Sequence, residues 1–136
     1  MLINVPVDNR TVQNSRQGYP DLTINELLST VRLDASKGEN LLAEKILQAM
    51  DMINGQLDEL HYLPAPLTAD QTRFYKRAIC HEAAAIIAED NLDFDTTSTG
   101  QIRGENGLAK ISSLRRVVNY AIADLTGRKR NRVKLV

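Results

Sequence analysis

The stretch RFYKRAICHEAAAIIAEDN, residues 73–91, decides between two very different molecules. Inside it, His81-Glu82 opens the H-E-x-x-H signature of zinc proteases, in which two imidazoles on one helical face grip an ion and the glutamate acts as base. The second histidine position is occupied by Ala85. The other histidine, His61, stands just before a proline-rich break, and Cys80 and His81, as helix neighbours, point about 100° apart. The metal reading is therefore set aside, and neither a metal ligand nor a cofactor is expected. The second reading takes the same letters as a packing helix. Tyr75, Ile79, Ala83 and Ile86 make one stripe, Cys80, Ala84 and Ile87 lie beside it, and nothing polar interrupts Ala83 to Ala88. That end is expected to be buried on several sides, its small residues letting neighbouring helices approach closely.

Helical periodicity continues on both sides of this stretch. Upstream, Leu42, Ile46, Ala49, Ile53, Leu57 and Leu60 recur at three- and four-residue steps, with Glu44, Lys45, Gln48, Asp51 and Gln56 on the other face. This predicts a long amphipathic helix, ended by Pro64 and Pro66. Further upstream, T-I-N-E at Thr23 to Glu26 reads as a capping box that starts a short helix in the run INELLSTVRL. The helix containing residues 73–91 opens near Thr68 or Asp70. Downstream, Leu108, Ile111, Leu114, Val118, Ala121, Ile122 and Leu125 share one face of a fourth helix, which starts near Asn106 or Gly107 and stops at Gly127. The expected fold is all-α, a small bundle of about four helices, one short and three long.

Three segments fall outside this pattern. Residues 1–18 are polar and aperiodic and read as an extended N-terminal arm preceding a helical domain over 19–126. Residues 91–106, NLDFDTTSTGQIRGEN, have no apolar period, and a structureless connection of that length reads as a contact loop. Its spacing fails as an EF-hand, because Ser98 and Gly104 stand where glycine and glutamate are needed. Gly100, Gly104 and Gly107 are also spaced wrongly for a dinucleotide fingerprint. Residues 127–136, GRKRNRVKLV, carry five basic residues among ten and end in an alternation from Arg132 to Val136 that suits a strand in need of a partner.

With 136 residues the chain has material for one real core. Hydrophobic residues make up 43% but aromatics only 4%, and the weight on Leu, Ile, Val and Ala favours helices over a sandwich. Seventeen basic and seventeen acidic residues cancel, so no global field draws nucleic acid or membrane, and any charge argument is local. The single cysteine excludes an internal disulfide framework and fits a reducing compartment. The opening MLINVPVDNR has neither the basic start nor the apolar run of a signal peptide, and no stretch approaches the ~20 apolar residues of a membrane span. A soluble intracellular protein is expected.

No Ser/His/Asp set assembles, and the carboxylate pairs Asp93/Asp95 and Glu89/Asp90 have spacings as common on solvated surfaces as in active sites. The chain is not expected to be an enzyme. Its basic tail could grip phosphates, which leaves a helical nucleic-acid-binding or regulatory module as the alternative, or it could dock on an acidic protein surface. Val133, Leu135 and Val136 favour docking, since strand addition to a sheet edge uses such an apolar ending and a solubilising tail does not.

Tyr19-Pro20-Asp21 before a short helix, the long helix through ILQAMDMINGQLDEL, the segment FYKRAICHEAA and the closing IADLTGRKRNRVKLV together resemble the phage head completion/stabilisation proteins of the GpL type over residues 19–136. The resemblance implies a head-tail connector, or adaptor, of a tailed bacteriophage. Such a protein is assembled in the host cytoplasm, joins the capsid neck after DNA packaging, and forms a dodecameric ring of its own copies beneath the portal protein. It also implies a next neck or tail completion protein as partner and packaged DNA passing through the lumen. No catalytic residues carry over. The portal-facing segment would comprise Arg128, Lys129, Arg130, Arg132, Val133, Lys134, Leu135 and Val136. Asp93, Phe94, Asp95 and Arg103 of the 91–106 loop, with the N-terminal arm, would be contacts within the ring or with the next ring.

Overall fold

In the computed structural model the described residues are 10–33, 38–60, 63, 65–92 and 98–128, with the backbone alone described at 60, 92 and 98–106. In chain order the elements are β1 (Thr11–Val12), β2 (Leu22–Thr23), α1 (Ile24–Thr30), α2 (Glu39–Leu60), α3 (Ala69–Leu92) and α4 (Ser98–Thr126). The fold is all-α apart from the small antiparallel pair β1–β2.

Local chemistry sets the helix ends. At α1 the Thr23 hydroxyl accepts the Glu26 N–H at 3.2 Å while the Glu26 carboxylate accepts the Thr23 N–H at 3.2 Å, a complete capping box. The helix stops at Thr30 because Val31 turns extended, φ −126 and ψ 149, and buries its side chain. The run INELLSTVRL is thus helical only over its first seven residues. A second box opens α3: Thr68 accepts from the Gln71 N–H at 3.1 Å and Gln71 from the Thr68 N–H at 2.9 Å. At the far end of α4, Arg128 N–H bonds the Ala123 carbonyl at 2.9 Å and Gly127 N–H bonds that of Asp124 at 3.3 Å, closing the helix in a Schellman motif around Gly127 at φ 72.

The central helix is α3, packed most extensively on α4, next on α2, and also on α1. Tyr75, Ile79 and Ala83 are fully buried and Ile86 nearly so, with Cys80, Ala84 and Ile87 beside them, as the stripes predict. The α2 stripe holds too, since Leu42, Ile46, Ala49, Ile53 and Leu57 have no exposed surface. Each of its larger aliphatic side chains gains about 2 kcal/mol from leaving water.

Three expectations are corrected. The segment from Arg10 to Gly18 is not an arm apart from the domain: Thr11 pairs with Thr23 and Val12 with Leu22, and Val12 and Tyr19 join the core. The 91–106 stretch is not one loop, because α3 runs to Leu92 and α4 begins at Ser98 rather than near Asn106. Leu108, expected on the buried face, is 61% exposed. One geometry explains the last two. Arg115 reaches both Glu82 and Glu89, so on antiparallel helices the residues two turns earlier, around Leu108, lie level with the final turn of α3. Upstream of that level α4 has no α3 beside it, and its backbone hydrogen bonds form without an apolar stripe to announce them.

Candidate interaction surfaces

The His81-Glu82 pair takes partners that suit a packed helix. The His81 ring nitrogen Nδ1 lies 2.8 Å from the Arg77 carbonyl, one turn back. Glu82 is 2% exposed, and its Oε2 accepts from Arg115 Nε at 3.2 Å and from a terminal guanidinium nitrogen at 3.0 Å. The same guanidinium also pairs with Glu89. The hydrogen bond that Arg115 donates to Glu89 is the largest cause raising the Arg115 pKa above its ordinary value, burial opposes it, and Glu82 adds to it. The glutamate of the apparent signature is one jaw of a clamp that holds α3 to α4. Beside it, burial pushes the Cys80 thiol up to about 11, which suppresses the reactive thiolate. Among the described residues no group of three His, Cys, Asp or Glu side chains is placed to hold a metal ion.

A buried polar network fixes the N-terminal segment. Asn14 Nδ2 donates to the Tyr75 hydroxyl at 2.7 Å and to the Pro20 carbonyl at 2.9 Å, and Tyr75 donates to Asn54 Oδ1 at 2.6 Å. Asn54 Nδ2 in turn donates to Asn14 Oδ1 at 3.1 Å and Ser15 Oγ at 3.2 Å. Burial pushes the Tyr75 hydroxyl up to about 12, so it stays a donor. Tyr19 stacks edge-on to Tyr75 at 5.4 Å and donates to the Leu63 carbonyl at 2.9 Å, while Arg16 covers the Tyr19 ring and pairs with Asp58. Apolar periodicity does not reveal this network, although Asn54, standing in the register of Met50 and Leu57, is a visible polar break in an apolar stripe.

On the outside, Leu41 and Met52 present apolar surface on one face of α2, and Leu47 and Leu108 do so elsewhere. Arg73 and Arg77 flank the Phe74 ring at 5.1 and 5.8 Å, giving α3 a basic, partly aromatic face near its start. Of the expected portal-facing residues, Arg128 is exposed directly after the Schellman closure. Lys129, Arg130, Arg132, Val133, Lys134, Leu135 and Val136 lie outside the described residues, as do Asp93, Phe94 and Asp95. Arg103 falls within α4 rather than in a loop, so the four residues assigned to the 91–106 contact do not share one irregular segment. No helix among the described residues is long and apolar enough to cross a membrane.

Comparison with known proteins gives a match at the family level. Neither the curated proteins nor the solved structures yield a match. The family model for Phage head completion protein (GPL) matches residues 13–136, starting within the segment that the Asn14 network ties down and running through all four helices to the basic tail. The chain therefore belongs to the phage head completion protein (GPL) family, a family of virion structural proteins and not a known enzyme family.

Proposed function

We propose that this chain completes the head as an adaptor: copies of it form a dodecameric ring beneath the portal after DNA packaging and offer a platform to the next neck or tail protein. Family membership gives the coarser part of this reading, a structural role in head completion within the virion. The observation that carries the finer part is the end of α4. The Schellman closure at Gly127 ends the helix by bonding the Ala123 and Asp124 carbonyls and leaves Arg128 exposed, so the basic segment RKRNRVKLV begins at the surface, where it can meet a partner. Its arginines and lysines supply long-range attraction to an acidic surface, and Val133 and Leu135 supply apolar contacts spaced for one face of an added strand.

Truncation after Gly127 tests this reading. The shortened chain is expected to keep its helical circular dichroism and to lose attachment to portal-bearing heads in sedimentation. Replacing Arg128, Lys129 and Arg130 by Gln is expected to weaken attachment chiefly at low salt, whereas Val133→Asp weakens it at high salt as well. Unimpaired attachment after truncation would move the portal contact elsewhere. A full-length chain that ignored the portal and bound DNA with a steep salt dependence would favour the nucleic-acid module instead.

A further inference from the structure

Charge is segregated over the surface of the bundle, although the chain as a whole is neutral. Helix α2 carries five carboxylates, Glu39, Glu44, Asp51, Asp58 and Glu59, while its one cation, Lys45, is tied to Asp90. Glu44, Asp51 and Glu59 are exposed at helical spacing with Leu41, Met52 and Gly55, so α2 presents an acidic face with apolar side chains set into it. Across α1, α3 and α4 the sign is reversed. Where α1 ends, an open groove of about 470 Å³ has an apolar floor of Val31, Leu33, Ala84, Ile87 and Leu114. Arg32 and Lys110 stand on its rim, and no carboxylate lines it among the described residues. Thr30 joins it to a second hollow of about 310 Å³ bordered by Arg73, Lys76 and Arg77, where the carboxylate of Glu26 is already held by Lys76. We propose that these two faces bind each other between copies of the chain, the acidic α2 face of one copy docking along the basic groove of the next.

Geometry makes this contact intermolecular. Among the described residues none from α2 lines either hollow, so a copy's own α2 face does not cover its own groove. Dimensions agree: Leu41 to Glu59 runs about 27 Å along α2, and Arg73 to Ala88, the α3 side of the two hollows, runs about 22 Å. Opposite charges then draw the faces together and orient them, while Leu41 and Met52 meet an apolar floor. Gly55 fits the same account. Glycine inside a helix weakens it, a Cβ there would meet nothing within 4 Å in its own copy, and the bare backbone lets a neighbour approach α2 closely. An acidic segment of another protein would satisfy the groove and leave the α2 face uncovered, whereas a second copy satisfies both. Joining one face to a different one is a head-to-tail contact, which closes a ring when the rotation permits.

The proposal rests on the ring reading above and names the faces through which copies meet. It is tested on the free full-length protein by sedimentation at increasing concentration, with no portal present. Parent chain is expected to self-associate. Glu44→Lys/Asp51→Lys and Arg73→Glu/Arg77→Glu, both at surface positions, are expected to keep their helical circular dichroism. Each alone is expected to raise the dissociation constant at least about tenfold, because like charges then face each other. Mixed in equal amounts the two variants are expected to associate again, since each reversed face now finds an opposite one and the untouched faces still match. Arg32→Glu/Lys110→Glu repeats the test from the groove rim and is expected to be recovered by the same α2 variant. Self-association that ignores the reversals, or no recovery on mixing, would overturn the proposal and leave the ring reading in place. A parent chain that stays monomeric throughout would remove both.

Discussion

Glu82 places a carboxylate in the interior between α3 and α4, and the Arg115 guanidinium holds it there while half-reaching solvent. Removing one jaw of such a pair strands a buried charge, whereas replacing both with apolar groups removes the desolvation cost along with the attraction. Arg115→Leu is therefore expected to cost about 3 kcal/mol in urea unfolding, and Glu82→Leu/Arg115→Leu to recover most of that loss. Additive losses would contradict the clamp. Glu26 makes a pH-dependent contribution. Burial would raise its carboxyl, but the Lys76 ammonium at 2.7 Å and the Thr23 N–H outweigh burial and leave it below its ordinary value of 4.5. A carboxyl lowered by folding contributes stability that is present above the unfolded value and lost as pH falls through the folded one. The stability gap between the parent and Glu26→Gln is expected to shrink between about pH 6 and pH 3, and a gap constant over that range would remove Glu26 from the account.

Among the elements, the helix boundaries were the most legible part of the chain wherever a cap used side chains. Thr23-x-x-Glu26 and Thr68-x-x-Gln71 are written in adjacent letters, and both form. The start of α4 is different in kind. Ser98 to Asn106 makes helical backbone with no stripe and two glycines, Gly100 and Gly104, so a periodicity test fails there by construction. Gly18 and Gly127 both take positive φ, 88 and 72, but for different structures. A Cβ on Gly127 would meet nothing within 4 Å, so Gly127→Ala is expected to cost about 1 kcal/mol, from the left-handed backbone alone. At Gly18 the same Cβ would lie 2.7 Å from that of Ala65, adding a clash where the N-terminal segment crosses the α2–α3 connection. Gly18→Ala is expected to lose distinctly more, measured by urea midpoints, and equal losses would mean that Ala65 gives way freely.

For the molecule as a whole, stability is expected to depend unequally on its two ends. Deleting residues 1–18 removes Val12, Asn14 and the cover over Tyr75 and Leu22, and leaves Asn54 without its Asn14 and Ser15 acceptors. A loss of more than about 3 kcal/mol, or of cooperative melting altogether, is expected. Calorimetry of the two truncations checks the contrast, since removal of residues 129–136 is expected to leave the melting temperature in place. A mild effect of the N-terminal deletion would show that the bundle closes without the Asn14 network.

By itself the sequence determined the helical class, the two capped starts, the buried faces of α2 and α3 and the stop at Gly127, because each is a local pattern set by the helical repeat or by neighbouring side chains. It also carried enough of the family's order of parts to be recognised as a head completion protein. Tertiary structure alone decided that Glu82 meets Arg115, that Asn14, Asn54 and Tyr75 converge, and that Leu108 lies past the cover of α3. Those outcomes depend on how far one helix overlaps another and on which distant residues a β1–β2 pairing brings alongside α2 and α3. No period within a single segment encodes such an overlap, since it is set by packing between segments far apart in the chain.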